Sequence, residues 1–196
     1  MNQKIKAIFF DFDGVITTEK MGSPTIISYI SKEFGIPYEI VNKAYRKYND
    51  ELLYGTVTHE DMWDDFCENV GQKIDIQILE KAFMNIKLDS KMMDYIREKH
   101  KDYLIGMITD NKVDRIRTIV ENTELKDLMD VVVISADVHS RKTESKIFEE
   151  TLKRSGMKAE ECVFIDNPAE NLVAPAKMGF TTIFFDDEIR DYSKLI

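Results

Sequence analysis

Apolar residues along this chain gather in short runs without strict alternation: Ile5 to Phe10, Tyr103 to Ile108, Val131 to Ile134, Cys162 to Ile165 and Thr181 to Phe185. Each run stops at a polar residue: Asp11, Thr109, Ser135, Asp166 and Asp186 respectively. Such runs are too short for helices and lack the period of two that marks a half-exposed strand, so they predict strands buried on both faces of a parallel sheet. Between them the pattern switches to helical spacing over Ser90 to Lys99, Lys112 to Glu121, Glu144 to Ser155 and Ala169 to Met178, with Gly156 and Gly179 as helix stops. Strand and helix alternate from about residue 89 onward, which predicts an α/β fold with a doubly wound parallel sheet. A ligand site in such a fold lies beyond the C-terminal ends of the strands, where these polar residues fall.

One stretch breaks the rhythm. From Ile16 to Leu88 only amphipathic helical patterns appear, Pro24 to Phe34, Tyr38 to Tyr54, His59 to Asn69 and Ile74 to Ile86, punctuated by Gly35-Ile36-Pro37, Gly55-Thr56 and Gly71. Residues 1–15 and 89–196 are therefore expected to form the α/β core, and 16–88 a small helical lid inserted after the first strand. Tyr29, Phe34, Tyr45, Tyr48, Trp63 and Phe66 fall at helical spacing and are expected to fill the lid's own core.

Charge narrows the range of partners. Twenty-seven basic and 36 acidic residues leave a net charge of −9, which argues against a main role in neutralising nucleic acid or an anionic membrane. An anionic substrate needs a local exception to that balance. The apolar run ending at Phe10 is interrupted at once by Asp11 and lacks the apolar region of a signal peptide, and the expected location is the cytoplasm. Cys67 and Cys162 form neither a disulfide framework nor a zinc spacing and are expected to be core residues.

The strand ends carry the chemistry. Asp11 and Asp13 lie two apart, on one side of an extended segment, and Gly14 after them permits a tight turn. Asp166 ends another strand in the same way. Three carboxylates near one point repel unless a cation sits among them, and an all-oxygen donor set without a His or Cys cluster suits Mg²⁺ better than zinc. Thr109 offers a hydroxyl at a third strand end, and Lys142 a positive charge from the loop after the Val131 to Ile134 strand. Asp110 and Asn111 offer either donors to a bound anion or a cap for the helix from Lys112.

The run Phe9-Phe10-Asp11-Phe12-Asp13-Gly14-Val15 resembles the first motif of the haloacid dehalogenase-like (HAD) hydrolase superfamily. Thr109, Lys142 and Asp166 resemble its second, third and fourth motifs, and the helical insertion is similar to the C1-type cap of its subfamily IA phosphatase branch. The resemblance implies a Rossmann-like core and a Mg²⁺-dependent phosphatase acting on a small phosphorylated metabolite, with a sugar phosphate preferred. Asp11 would be the nucleophile that becomes an aspartyl-phosphate, and Asp13 the acid and base, its pKa raised with help from Asp11. Thr109 and Lys142, with Asp110 and Asn111, would bind the phosphoryl group, and Asp11, the Asp13 carbonyl and Asp166 would hold Mg²⁺. The family's dehalogenases lack an acid at the position of Asp13, which favours phosphate ester hydrolysis here. A phosphomutase and a non-catalytic phosphometabolite-binding protein are the alternatives.

The chain departs from the pattern at Asn167, where an aspartate is common, and at Thr143, His139 and Ser140, where altered loop geometry is expected. Lys146 is a second candidate for the motif-three lysine. Tyr54 and His59, in the insertion, are expected either to touch substrate or to face solvent.

Overall fold

A computed structural model describes residues 5–195. In chain order it contains β1 (Ala7–Phe10), α1 (Gly22–Phe34), α2 (Tyr38–Arg46), α3 (Asn49–Tyr54), α4 (His59–Val70) and α5 (Ile78–Met84). There follow α6 (Ser90–Lys99), β2 (Leu104–Thr109), α7 (Val113–Glu121), α8 (Leu125–Leu128), β3 (Val131–Ile134) and α9 (Ser135–Val138). The chain closes with α10 (Lys146–Ser155), β4 (Cys162–Asp166), α11 (Val173–Met178) and β5 (Thr181–Phe184).

The five strands form one parallel sheet in the order β3-β2-β1-β4-β5. The chain winds outward from β1 through β2 to β3, then returns to the other side of β1 for β4 and β5. The switch point falls between β1 and β4, where a doubly wound sheet opens a crevice at its C-terminal edge. Alternating side chains feed two cores: Ile8 and Phe10 pack on one face with Met92, Ile96, Ile116 and Ile119, while Ala7 and Phe9 pack on the other with Phe148, Phe164 and Phe180. Cys162 is buried in the second core and Cys67 is half-buried. β5 departs from the expectation of a strand covered on both faces, since Thr181 and Phe184 are exposed on this outermost strand.

The segment after β1 is helical throughout α1 to α5, and it leaves and returns at one place. Thr17 and Leu88 form an antiparallel bridge, flanked by Thr18 N to Lys87 O at 3.0 Å and Asp89 N to Ile16 O at 2.9 Å. Tyr45, Trp63 and Phe66 are buried in this block, with Tyr29, Phe34 and Tyr48 packed around them. The stretch expected as one helix from Tyr38 to Tyr54 is two, because Tyr48 leaves helical backbone at φ −114°, ψ 25°. The apolar spacing hides that break: Tyr45 and Leu52 are seven residues apart, two full turns, so the stripe continues in phase across it. The helix expected over Ile74 to Ile86 is confined to α5, and the one over Ala169 to Met178 begins as a 3₁₀ turn over Ala169–Leu172. α8 and α9 span four residues each, too short for any periodic signal. Among the described residues no helix is long and apolar enough to cross a membrane.

Candidate active site

The backbone ladder of β1 continues one residue past the strand, Asp11 N donating to Ile165 O at 2.9 Å, and this places Asp11 beside the end of β4. Asp166 closes β4 with no exposed surface. The Lys142 ammonium lies between the two carboxylates, 2.7 Å from Asp11 Oδ1 and 2.8 Å from Asp166 Oδ2. All three side chains are buried, so their charges interact in a medium far less screening than water. Burial and the Asp166 charge push the Asp11 carboxyl well above its ordinary range, against the pull of Lys142. Burial works against the Lys142 charge too, but Asp11 and Asp166 outweigh it and raise the ammonium's pKa. Lys146 instead opens α10 and lines a separate surface pocket with Asp137 and Glu149, so Lys142 is the lysine that reaches the carboxylates.

The loop carrying Lys142 is pinned by Asp110, whose Oδ1 accepts from Lys142 N at 3.0 Å and whose Oδ2 accepts from Arg141 Nε at 3.3 Å. His139 ends α9 in the left-handed region at φ 52°. Its ring Nδ1 is 2.7 Å from the Tyr54 carbonyl oxygen. His139 thus fastens this turn to α3, while Ser140 Oγ donates to Glu144 Oε2 at 3.0 Å. Thr109 is buried at the end of β2. Asn111 donates its amide to Asp13 Oδ2 at 2.9 Å and to Thr109 Oγ1 at 3.3 Å, while its backbone N–H donates to Ser135 Oγ at 3.0 Å. Both Asp110 and Asn111 therefore have their side chains engaged in holding neighbouring site residues. Asn111 Oδ1 also accepts from Lys112 N at the start of α7.

Asp13 has a partner absent from the sequence-based expectations. Arg115, buried on α7, forks onto it with Nη1 2.7 Å from Oδ2 and Nη2 2.8 Å from Oδ1. Burial alone would raise the Asp13 pKa, but the Arg115 charge and hydrogen bonds, aided by Asn111, hold it below the ordinary value. This corrects the expected upward shift, because the nearest strong charge is a cation on α7 rather than the neighbouring carboxylate. No local pattern marks Arg115: Asn111, whose Oδ1 accepts from its Nη1 at 2.9 Å, lies before α7, so their spacing is not that of one helix face.

Tyr54 and His59 neither contribute to this cavity nor face solvent freely. The Tyr54 hydroxyl donates to Glu144 Oε1 at 2.6 Å. His59 is 2% exposed, 2.7 Å from both the Tyr45 hydroxyl and Asp114 Oδ2. Both tie the insertion to the core.

The oxygens suited to a cation are carboxylates of Asp11 and Asp166 and the carbonyl of Asp13. Among the described residues no three His, Cys, Asp or Glu side chains form a metal cluster, so a carbonyl is needed to complete the set. Convergence is visible in Asn167, whose amide nitrogen, in the orientation that satisfies the group, reaches Asp166 Oδ1 at 3.2 Å and Asp13 O at 3.3 Å. Two positive or donor groups, Lys142 and the Asn167 amide, thus already point at this cluster. Hard oxygen donors around one point fit Mg²⁺, with water and substrate oxygens completing its shell. Asn171 Nδ2 donates to the other Asp166 oxygen at 3.1 Å and fixes that carboxylate's plane.

A cavity of about 290 Å³ opens over Asp11, Asp13, Thr109 and Lys142, roofed by residues of α1, α2 and α3.

Comparison with known proteins agrees with this architecture. A family model described as haloacid dehalogenase-like hydrolase matches residues 8–185. The chain is 24% identical to a glyceraldehyde 3-phosphate phosphatase of Pyrococcus furiosus, over 93% of this chain and 81% of that protein. It is also 24% identical to the sesquiterpene phosphatase astK of Aspergillus oryzae, over 94% of this chain and 91% of the relative. Among solved structures, a HAD-family enzyme of Bacteroides thetaiotaomicron, in complex with magnesium and inorganic phosphate, superposes with a TM-score of 0.80 at 17% identity, covering 98% of this chain and 99% of the other.

Proposed function

The chain belongs to the haloacid dehalogenase-like hydrolase family, and from that premise we propose that it is a Mg²⁺-dependent phosphatase of small phosphorylated metabolites. Residues 16–88 serve it as a cap domain over a core of 1–15 and 89–196. The observation that carries the reading is the buried Asp11–Lys142–Asp166 trio with a third carboxylate, Asp13, lining the same cavity as Asp11 and Lys142.

Asp11 supplies the nucleophile: a carboxylate oxygen attacks phosphorus in line, the new Asp11 O–P bond forms and the P–O bond to the alcohol breaks. The departing oxygen takes a proton from Asp13. Asp13, then a carboxylate, removes a proton from water as that water attacks the phosphorus of the aspartyl-phosphate, which restores Asp11 and yields phosphate. An acid at this position suits an alkoxide leaving group, which needs a proton, whereas a halide does not. Arg115 favours the carboxylate form of Asp13 that serves the second half-reaction, so for the first one Asp13 oxygen must leave the guanidinium and carry a proton, the one taken from water in the preceding turnover. Thr109 and Lys142 bind the phosphoryl oxygens, and Lys142 offsets charge gathered at Asp11. Asp110 and Asn111 set the loops from which these groups act. Asp11, the Asp13 carbonyl and Asp166 would hold Mg²⁺, which supplies Lewis-acid charge to the phosphoryl oxygens when bound.

Hydrolysis of p-nitrophenyl phosphate with and without Mg²⁺, in wild type and Asp11→Asn, tests the assignment without knowledge of the substrate. Turnover is expected only with Mg²⁺ and is expected to fall by on the order of 10³-fold in the variant. Equal rates in the two proteins would remove Asp11 as nucleophile.

A further inference from the structure

The cavity is more basic than this acidic chain requires for one phosphoryl group. Six cations line it: Lys20, Arg46, Lys112, Arg115, Arg141 and Lys142. Four are matched within the protein: Lys142 to Asp11 and Asp166, Arg115 to Asp13, Arg141 to Asp50 and Asp110, and Lys20 to Asp187 and Glu188. Among the described residues no carboxylate pairs with Lys112 or Arg46.

Lys112 is the more telling of the two. It is 6% exposed, and its ammonium has only neutral partners, Ser23 Oγ at 3.2 Å and Asn49 Oδ1 at 3.3 Å. A buried ammonium needs a compensating anion or a shifted pKa. Here burial, with the repulsion of Arg115 and Arg46, outweighs the attraction of Asp13 and Asp114 and pulls its pKa down to about 8. Arg46, exposed on α2, engages Asn42 through Nε, and among the described residues the outer nitrogens of its guanidinium have no hydrogen-bond partner. The position of these cations is specific. Lys112 follows Asn111, the residue that holds Asp13, and its ammonium meets Ser23 on α1 and Asn49 on α3. Lys112 and Arg46 therefore lie on the cap-facing side of the cavity, on the side of the acid that protonates the departing alcohol and away from the Asp11–Lys142 end that receives phosphorus.

We infer that the substrate's alcohol portion carries a second anionic group, a carboxylate or a second phosphate, bound at the cap–core seam by Lys112 and Arg46. The inference rests on the phosphatase reading and specifies its substrate class. A neutral sugar at this place would leave the Lys112 charge as uncompensated as before binding. A second anion would neutralise it, and would add a fork-shaped contact to Arg46.

Calorimetric binding to the Asp11→Asn protein with Mg²⁺ tests this apart from turnover. Two matched pairs serve as probes: phosphoglycolate against ethylene glycol monophosphate, and a hexose bisphosphate against the hexose monophosphate. The anionic member of at least one pair is expected to bind tenfold or more tightly, and the pair that shows it identifies the anion. In Lys112→Met and Arg46→Gln that preference is expected to shrink at least threefold, read as a ratio within each protein so that a general loss of affinity cancels. Equal binding within both pairs, or a preference untouched by both substitutions, would overturn the inference. Wild type that fails to hydrolyse p-nitrophenyl phosphate with Mg²⁺ would tell against the phosphatase reading, while the binding ratios still decide the subsite.

Discussion

At the scale of single residues the site depends on a contact between two positions of no obvious chemistry. Gly22 opens α1 against the Arg115 guanidinium, and a Cβ built there lies 2.1 Å from Arg115 Cζ. Arg115 cannot give way cheaply, since it is buried and forked onto Asp13. Gly22→Ala is therefore expected to cost about 1–3 kcal/mol as overpacking. Arg115→Met is expected to cost about 2–4 kcal/mol, because it takes the charge partner from a carboxylate that is only 15% exposed and leaves it the Asn111 amide alone. In the double variant the clash is gone, so the alanine is expected to cost clearly less than it does alone, as measured by denaturant unfolding of all four proteins. Strictly additive losses would show that Gly22 and Arg115 act separately. Asp11, Asp13, Thr109 and Asp166 could be read from the sequence because each stands at or just past a strand end, where local pattern marks it, and Lys142, in the loop beyond α9, through its resemblance to a motif. Arg115 could not, because its partner is Asp13, 102 residues earlier, and a lone arginine on a helix gives no sign that it is buried.

At the scale of elements, the loop after β1 is held from the far end of the chain. Asp89 caps α6, its Oδ1 accepting from Lys91 N at 2.9 Å and Met92 N at 3.2 Å. Its other oxygen takes Arg190 and the Tyr192 hydroxyl. Arg190 in turn donates to the carbonyls of Gly14 at 3.0 Å and Val15 at 2.9 Å. Burial would raise the Asp89 pKa, but Tyr192, the helix N–H groups and Arg190 outweigh it and hold it below its ordinary value. A carboxylate with a depressed folded pKa stabilises the fold fully above its unfolded pKa, near 4, and the contribution is lost as pH falls through the folded value. Asp89→Ala is thus expected to unfold about 1–2 kcal/mol more easily than wild type at pH 7, with the gap narrowing below about pH 4. A gap that stays constant between pH 7 and pH 3 would show that the Asp89 charge contributes nothing. The helix that Asp89 caps is legible in the sequence as the amphipathic run from Ser90. The clamp is not, since Arg190 lies in an acidic turn of no periodicity and adopts a left-handed φ of 51°.

At the scale of the molecule, the alternation of strands and helices was enough to foresee the parallel sheet and the helical insertion, but not how far the two share a core. Residues of the insertion, among them Ile27, Tyr45, Phe66 and Phe83, belong to the same apolar cluster as Ile8, Phe10 and Ile105 of the sheet. Period and burial pattern describe one element at a time, and a joint between elements leaves no trace in either. Polar ties cross the same seam: His59 to Asp114, Ser135 Oγ to Leu53 O at 2.7 Å, and Lys112 to Ser23 and Asn49. An insertion built this way has no separate apolar core to melt, so it cannot unfold alone at low cost. Trp63, the chain's single tryptophan, lies in the insertion, stacked on Phe66 with its indole N–H donating to Ile74 O at 2.7 Å. Its fluorescence reports the cap, whereas far-UV circular dichroism reports the whole chain including the sheet. The two signals are expected to trace one urea transition with the same midpoint and slope, the signature of a single cooperative unit. A tryptophan transition at clearly lower urea would mean that the cap unfolds first and that the shared cluster is divided at the seam.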